Sequence, residues 1–295
     1  MLSTANFFWN GNFSLYEYAC VASFVKNNFK VNVFTFDRNL NLPSGAILRD
    51  AGEILPKSEL HAYTLSGIKG CMAGFADAFR LHLLKKAGGW WFDADVMCLR
   101  DVTAFRQLVT NKPVPISAGF QNRKYVSNAV LYADDSHFVD ALLTQLKKNG
   151  KDVIWGKNGP ELTTKIMTDL GYLNYADPVS TFYPFDGHDL FKIFEPDYKD
   201  WCESAFGQSL TMHLWNDMLR HLCFPKNILP PDDSYALAMF IAYCPELEHV
   251  PKIPLVTARS LFDHLRLKKI TQSKTISSAI ALRKFVKNGL KRIKL

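Results

Sequence analysis

The 295-residue chain reads as an α/β fold whose sheet is at least partly parallel, with a ligand site at the carboxyl ends of its strands. Three observations predict this. Phe7-Phe8-Trp9, a helix opening at Ser14 and the run Lys30–Phe36 give strand, helix and strand within about thirty residues, the spacing of a βαβ unit. The stretch from Ala73 to Lys86 is a second helix, closed by Gly88-Gly89. Directly after it, the apolar strand Trp90-Trp91-Phe92 runs into Asp93-Ala94-Asp95.

Each element has a local cause. Ser14-Leu-Tyr-Glu17 is a capping box, so a helix starts after Ser14 and runs to about Asn27. Lys30-Val-Asn-Val-Phe-Thr-Phe36 alternates and is rich in β-formers. Residues 39–66 are mixed in character, with a turn at Pro43-Ser-Gly45. In the helix 73–86, Phe75, Phe79 and Leu83 repeat every four residues and define an apolar side, while Asp77 and Arg80 share another. On a strand, residues i and i+2 point the same way, so Asp93 and Asp95 are expected to present two carboxylates to one spot. Two like charges there call for a cation to keep them ionised.

The second half continues the alternation. Val114–Phe120 and Asn128–Tyr132 are expected strands, with a helix over Ser136–Lys148. Gly159-Pro160 opens another helix, proline suiting its first turn. Thr211-Met-His213-Leu-Trp215-Asn216 alternates like a strand, placing His213 and Trp215 on one side. Pro230–Ser234 is a turn. Neither a Walker-type loop nor G-x-G-x-x-G occurs, so phosphate charge would have to be met by metal and individual side chains.

Asp77-Ala-Phe-Arg80 followed by Gly88-Gly89-Trp-Trp-Phe-Asp93-Ala-Asp95 resembles the sugar-binding D-x-D region of glycosyltransferase family 32 and its relatives. These include α-1,4-galactosyl and GlcNAc transferases, capsular and lipopolysaccharide transferases, and the clostridial glucosylating toxins. Trp91 stands where the family usually has Tyr. The resemblance spans about residues 5–235 and is strongest at 74–101. It implies a GT-A type fold: a Rossmann-like nucleotide-binding half with a mixed sheet, about 1–101, and an acceptor half, about 102–263. It also implies a UDP-sugar donor, Mn²⁺ (or Mg²⁺) as cofactor, and transfer with retention of anomeric configuration.

Roles follow from the same resemblance. Asp95 would be the direct metal carboxylate, with Asp93 reaching the ribose, the metal or its waters. Asp77 and Arg80 would hold donor-sugar hydroxyls, joined by Asn128 at the start of its strand. Trp9, ahead of the polar turn Asn10-Gly-Asn12, would stack on the nucleotide base. His213-x-Trp215-Asn216 is a second family element: His213 would be a metal ligand, and the Trp215 indole would bond a phosphate oxygen. Gly159-Pro160 matches a further family element. Pro230–Ser234 departs from the family pattern, which leaves Asp232 and Asp233 without a role.

Composition bounds the setting. The formal charge of +7 is concentrated at the end: residues 264–295 hold ten Lys and Arg and no Asp or Glu, leaving 25 basic against 28 acidic residues elsewhere. The apolar residues Ile276, Ile280, Val286, Leu290 and Ile293 gather on one side of a helical projection, which predicts a basic amphipathic tail lying on an anionic membrane face. A nucleic-acid arm is not expected, since Phe285 is the tail's single aromatic residue. No apolar run reaches spanning length, and Asn6–Trp9 already reads as a strand, so neither a membrane span nor a signal peptide is expected. The six cysteines form no C-x-x-C pair and read as reduced thiols.

Together these features predict a metal-dependent transferase moving a hexose or N-acetylhexosamine to a glycan or lipid-linked glycan. The expected setting is bacterial surface polysaccharide or lipopolysaccharide assembly, in the cytoplasm on the inner face of the membrane. A toxin-like protein glycosyltransferase is the alternative within the family. Outside it stand a haloacid-dehalogenase-type phosphatase, which also opens with D-x-D-x-[TV], and a glycan-binding protein without catalysis.

Overall fold

The computed structural model describes residues 1–61, 72–263 and 265–266. Of the predicted tail, residues 264–295, only Leu265 and Arg266 are among them.

The α/β expectation is borne out. The elements run β1 (Thr4–Phe8), α1 (Leu15–Lys26), β2 (Lys30–Thr35), β3 (Ala46–Asp50), α2 (Ala73–Ala87), β4 (Trp90–Phe92), β5 (Val96–Cys98), α3 (Val102–Thr110), β6 (Ile116–Phe120), β7 (Val126–Ala133), α4 (Ser136–Asn149) and α5 (Pro160–Asp169). They continue through α6 (Val179–Phe182), α7 (Phe191–Phe194), α8 (Lys199–Phe206), β8 (Thr211–His213), α9 (Asn216–His221) and α10 (Tyr235–Tyr243). The main sheet has the order β3-β2-β1-β4-β7-β6. β1 pairs in parallel with β2 and β4, and β2 with β3, whereas β7 is antiparallel to both β4 and β6. A small second sheet joins β5 and β8 antiparallel, Val96 opposite His213.

Strand alternation divides the core into two layers. Phe7, Trp90 and Phe92 face Val21 and Phe24 of α1 and Phe105 of α3. Their neighbours Phe8 and Trp91 face the other way, onto Phe75, Phe79 and Leu83 of α2 and Phe138 of α4. The predicted apolar side of α2 is therefore the side that packs. A third core lies beyond α1, where Tyr16 and Cys20 meet Phe194, Met212 and Phe240. Leu265 is still part of it, and Arg266 pairs with the buried Glu195.

Several elements escape sequence reasoning. β3 is mostly solvent-facing and lacks an apolar alternation. The short helices α6 to α8 are set by tertiary packing, since each is too short to be stable alone. The thiols of Cys20, Cys98, Cys202, Cys223 and Cys244 are free, as expected.

Two glycines shape the entry to β4. α2 ends at Gly88, φ 62°, and Gly89 follows at φ 84°. A Cβ on Gly89 would stand 3.0 Å from Asn6 Nδ2 and 3.1 Å from Thr4 O. That amide is committed: Asn6 Nδ2 donates to Gly88 O at 3.2 Å and Trp90 O at 3.0 Å, and Asn6 Oδ1 accepts from Asn32 Nδ2 at 2.9 Å. The turn thus fixes β4 against β1. Gly89→Ala should cost about 1–3 kcal/mol through the left-handed backbone and this close approach. A fall in the urea midpoint at constant m-value would register it, and an unchanged midpoint would mean that the turn tolerates a side chain.

Candidate active site at the carboxyl edge of the sheet

β4 stops at Phe92, and Asp93-Ala94-Asp95 forms a turn closed by Val96 N–H donating to Asp93 O at 3.0 Å. The two carboxylates converge, but through this turn and not through the strand alternation expected from sequence. Backbone bonds pin the turn on both sides: Asp93 N–H donates to Ala129 O at 2.8 Å, and Leu214 N–H donates to Asp95 O at 2.8 Å. β5 and β8 carry His213 to the same spot, with His213 Nε2 3.2 Å from Asp95 Oδ1. Asp93, Asp95 and His213 each offer a ligand atom within 4.8 Å of the others. Two carboxylates and one imidazole suit a divalent cation such as Mn²⁺.

Each carboxylate has its own basic partner. Arg80 Nη2 donates to Asp93 Oδ1 at 3.0 Å, and Trp91 Nε1 donates to the same oxygen at 2.8 Å. The Arg80 guanidinium also lies over the Trp91 ring, 5.1 Å from its centroid. Arg80 is buried and reaches further, to Asp77 Oδ1 at 3.1 Å and to Asn128 O at 3.0 Å. Asn128 Nδ2 in turn donates to Asp77 Oδ1 at 2.9 Å. The helix face that carries Asp77 and Arg80 therefore points inward to the site. Thirty per cent of the Asp93 side chain is open to the cavity. The cavity walls strip water from its carboxyl and push it up to about 6, with Asp95 adding repulsion and Arg80 opposing the rise. Asp95 goes the other way: burial would raise it, but His213 and the Asn216 N–H, donating to Asp95 Oδ2 at 2.7 Å, hold it below the usual carboxylate range. Burial works against charge on His213 as well, yet Asp95 and Asp93 leave it raised.

A cavity of about 640 Å³ joins these groups. Its walls include every residue singled out from sequence: Trp9, Asp77, Arg80, Asp93, Asp95, Asn128, His213 and Trp215. Asp232 and Asp233 do not line it, and Asp232 pairs with Lys252. Trp215 departs from the expected strand: it takes a left-handed conformation, φ 51° and ψ 56°, rare for a bulky residue and a mark of local constraint. Its ring nonetheless lies 4.3 Å from that of His213. The Trp215 Nε1 and His213 Nδ1 atoms are buried without a hydrogen-bond partner among the described residues. An unpaired buried donor is costly, so such atoms commonly await a ligand.

Sequence reasoning missed Lys226. It lines the cavity, stands 5.5 Å from the centroid of the Trp9 ring, and donates to Asn216 Oδ1 at 3.1 Å and to Glu17 Oε1. Glu17, legible only as a helix-capping residue, is fully buried and also accepts from Asn216 Nδ2 at 2.7 Å. A lone lysine after Phe224-Pro225 carries no motif, so nothing in the sequence marks it.

Residues 132–249 match the family model described as the alpha 1,4-glycosyltransferase conserved region. That stretch holds His213, Trp215, Asn216 and Lys226, whereas Trp9, Asp77, Arg80, the Asp-x-Asp turn and Asn128 precede it. The chain is 28% identical over 159 residues to human alpha-1,4-N-acetylglucosaminyltransferase, covering 48% of this chain and 42% of that one. It is 26% identical over 153 residues to mouse lactosylceramide 4-alpha-galactosyltransferase, covering 48% and 40%. The chain thus spans less than half the length of these curated relatives. Among solved structures it is similar to the galactosyltransferase LgtC in complex with donor and acceptor sugar analogues, with a TM-score of 0.43 and 13% identity over 84% of this chain and 97% of that one. A mixed sheet with the Asp-x-Asp turn at the end of an interior strand is the GT-A type arrangement that the motifs implied. The chain is therefore similar over residues 132–249 to the family 32 type of α-1,4-glycosyltransferases, and that stretch meets the Asp-x-Asp turn at one cavity.

Proposed function

We propose that this protein is a metal-dependent retaining glycosyltransferase that moves a hexose or N-acetylhexosamine from a UDP-sugar to a glycan acceptor. The observation that carries the reading is the convergence of Asp93, Asp95 and His213 in the same cavity as the Asp77–Arg80–Asn128 cluster and the unpaired Trp215 indole N–H. Asp93, Asp95 and His213 would hold Mn²⁺ or Mg²⁺. A bound divalent ion would supply Lewis-acid stabilisation of the departing diphosphate. The residues themselves do the rest. Trp9 offers an aromatic face to the base. Lys226, beside Trp9 and tied to Asn216, sets a positive charge where a diphosphate running from base to metal must pass. Trp215 Nε1 donates to a phosphate oxygen. Asp77 and Asn128 bond sugar hydroxyls, with Arg80 locking both and keeping Asp93 oriented. Retention follows the family resemblance, with attack on the face from which the diphosphate leaves and a phosphate oxygen taking the proton.

A phosphatase reading loses its footing in the topology. Its D-x-D belongs after the first strand of the fold, whereas Asp93 follows the fourth, and the Asp232-Asp233 pair, the candidate for such an enzyme's distal acidic motif, does not line the cavity. The acceptor screen should include lipopolysaccharide and capsule-type glycans, on the motif resemblance, and animal glycans, on the mammalian relatives. No helix among the described residues is long and apolar enough to cross a membrane. The ten basic residues of 264–295 would favour peripheral contact with anionic lipid on a cytoplasmic face.

Incubation with a panel of UDP-sugars tests the function directly. With Mn²⁺ the protein should hydrolyse its donor slowly and transfer it faster to an accepted glycan, and early product should keep the donor's anomeric configuration by NMR. EDTA should abolish both reactions, and Asp95→Asn should lower turnover by roughly 10²-fold or more. Full activity in EDTA would remove the metal from the reading.

Nucleotide binding separates two walls of the cavity. Trp9→Ala should weaken UDP and uridine alike, by about 1–3 kcal/mol, because stacking needs only the base. Lys226→Gln should weaken UDP but leave uridine nearly unchanged, because its charge acts on phosphate. Calorimetry of the four pairs decides it, and equal losses for both ligands in Lys226→Gln would contradict the assignment.

Metal affinity should also depend on pH with a defined sign. Asp93 takes up a proton as pH falls through about 6, and His213 becomes more protonated as well. Both changes oppose a cation, so Mn²⁺ binding should weaken by about tenfold or more per pH unit below that point. A titration of Mn²⁺ affinity that stays flat from neutral pH to about 5 would exclude Asp93 and His213 as ligands.

A further inference from the structure

We propose that Trp155 is the stacking platform for the acceptor, taking the terminal pyranose of a glycan on its indole face. This rests on the glycosyltransferase reading and names the side from which the second substrate enters. Trp155 is 48% exposed, yet it lines the same cavity as Asp77 and Asp93. It belongs to none of the hydrophobic clusters among the described residues, and none of the aromatic or cation–π contacts found there involves it. Ile154 beside it is 54% exposed. A large aromatic residue open to a cavity lined by polar groups offers an apolar face of the kind that lines ligand clefts.

The loop that carries Trp155 is held in place. Asn158, which is buried, donates through Nδ2 to Gly150 O at 2.9 Å and accepts from Asn149 Nδ2 at 2.8 Å. Gly159 N–H donates to Gly156 O at 3.2 Å, and Glu161 N–H donates to the same oxygen at 3.1 Å. The far end of the loop abuts the sugar-binding cluster: a Cβ on Gly159 would stand 3.3 Å from Asn128 Nδ2 and 3.3 Å from Asp77 Oδ1. Trp155 therefore projects from a clamped loop rooted at Asp77 and Asn128. Trp9 lies with Lys226, on the wall assigned to base and diphosphate. An acceptor must meet the donor at its sugar, which is the wall that Trp155 overlooks. A pyranose presents a face of C–H groups that packs on an indole while its hydroxyls stay in water.

The same exposed pair could serve a membrane surface, but the charges argue for the glycan. A loop docking on anionic lipid would offer free lysines, whereas Lys151 pairs with Glu59 at 2.6 Å and Lys157 with Glu161 at 3.4 Å. An anchor would also project away from the cavity, and Trp155 faces it.

The test uses the full chain, its hydrolysed UDP-sugar, and methyl β-pyranosides of galactose, glucose and N-acetylglucosamine as acceptors. Trp155→Ala should raise the acceptor KM by about tenfold or more, the loss expected of a central aromatic contact, while the donor KM moves far less. Trp155→Tyr should recover most of the loss, because an aromatic face is restored. An unchanged acceptor KM in a folded Trp155→Ala protein would overturn the proposal, as would acceptor and donor KM rising together. Donor hydrolysis by the wild type without transfer to any of the pyranosides would also overturn it. Lost binding to phosphatidylglycerol vesicles with an unchanged acceptor KM would assign Trp155 to the membrane instead. Absence of donor hydrolysis in the wild type would be a different failure, of the glycosyltransferase reading itself, and the acceptor platform would fall with it.

Discussion

Two carboxylates share one turn at the end of β4, and the surrounding architecture compensates for their repulsion. Asp93 is met by Arg80 from α2, and Asp95 by His213 from β8, so the basic partners come from distant parts of the chain. Neither could be supplied locally. The Arg80 contact needs α2 packed on the sheet through Phe75, Phe79 and Leu83, and the His213 contact needs β5 and β8 paired. The remaining repulsion between the acids is what a divalent ion, as proposed above, would relieve.

A second constraint runs through Glu17. In the sequence it completes a helix cap, and in the structure its Oε2 does so, accepting from Ser14 N–H at 2.9 Å. Its other oxygen holds Asn216 and Lys226, and the Asn216 N–H holds Asp95. The start of the first helix, the Asp-x-Asp turn and the cavity lysine are thereby joined through one buried carboxylate. A buried charge of this kind persists only when its hydrogen-bonding capacity is met, which ties the geometry of Lys226 to that of the cap.

The two motif regions supply different halves of one chamber. The Asp-x-Asp turn and α2 bring the acids and Arg80, while residues 132–249 bring the imidazole, the strained indole and the lysine. The unpaired Nε1 of Trp215 and the open face of Trp155 differ in kind, one a buried polar donor and the other an exposed apolar surface.

Elements whose causes are local could be read directly from the chain. The capping box at Ser14, the glycine pair after α2, the alternation in β2 and the four-residue repeat of Phe75, Phe79 and Leu83 each act within a few residues, and each predicted its element. The residues of the site were legible too, because Asp77, Arg80, Asp93, Asp95, His213 and Trp215 sit at fixed spacing in compact motifs. Tertiary structure alone decided how they meet. Asp93 and Asp95 converge by a turn and not by strand pleat, and Trp215 reaches His213 through a left-handed backbone that no local propensity would favour. Lys226 and Trp155 were invisible because their meaning lies in what stands beside them, 209 residues away at Glu17 in one case. A side chain whose partners are far along the chain leaves no periodic or local trace, since only packing brings them within hydrogen-bond reach.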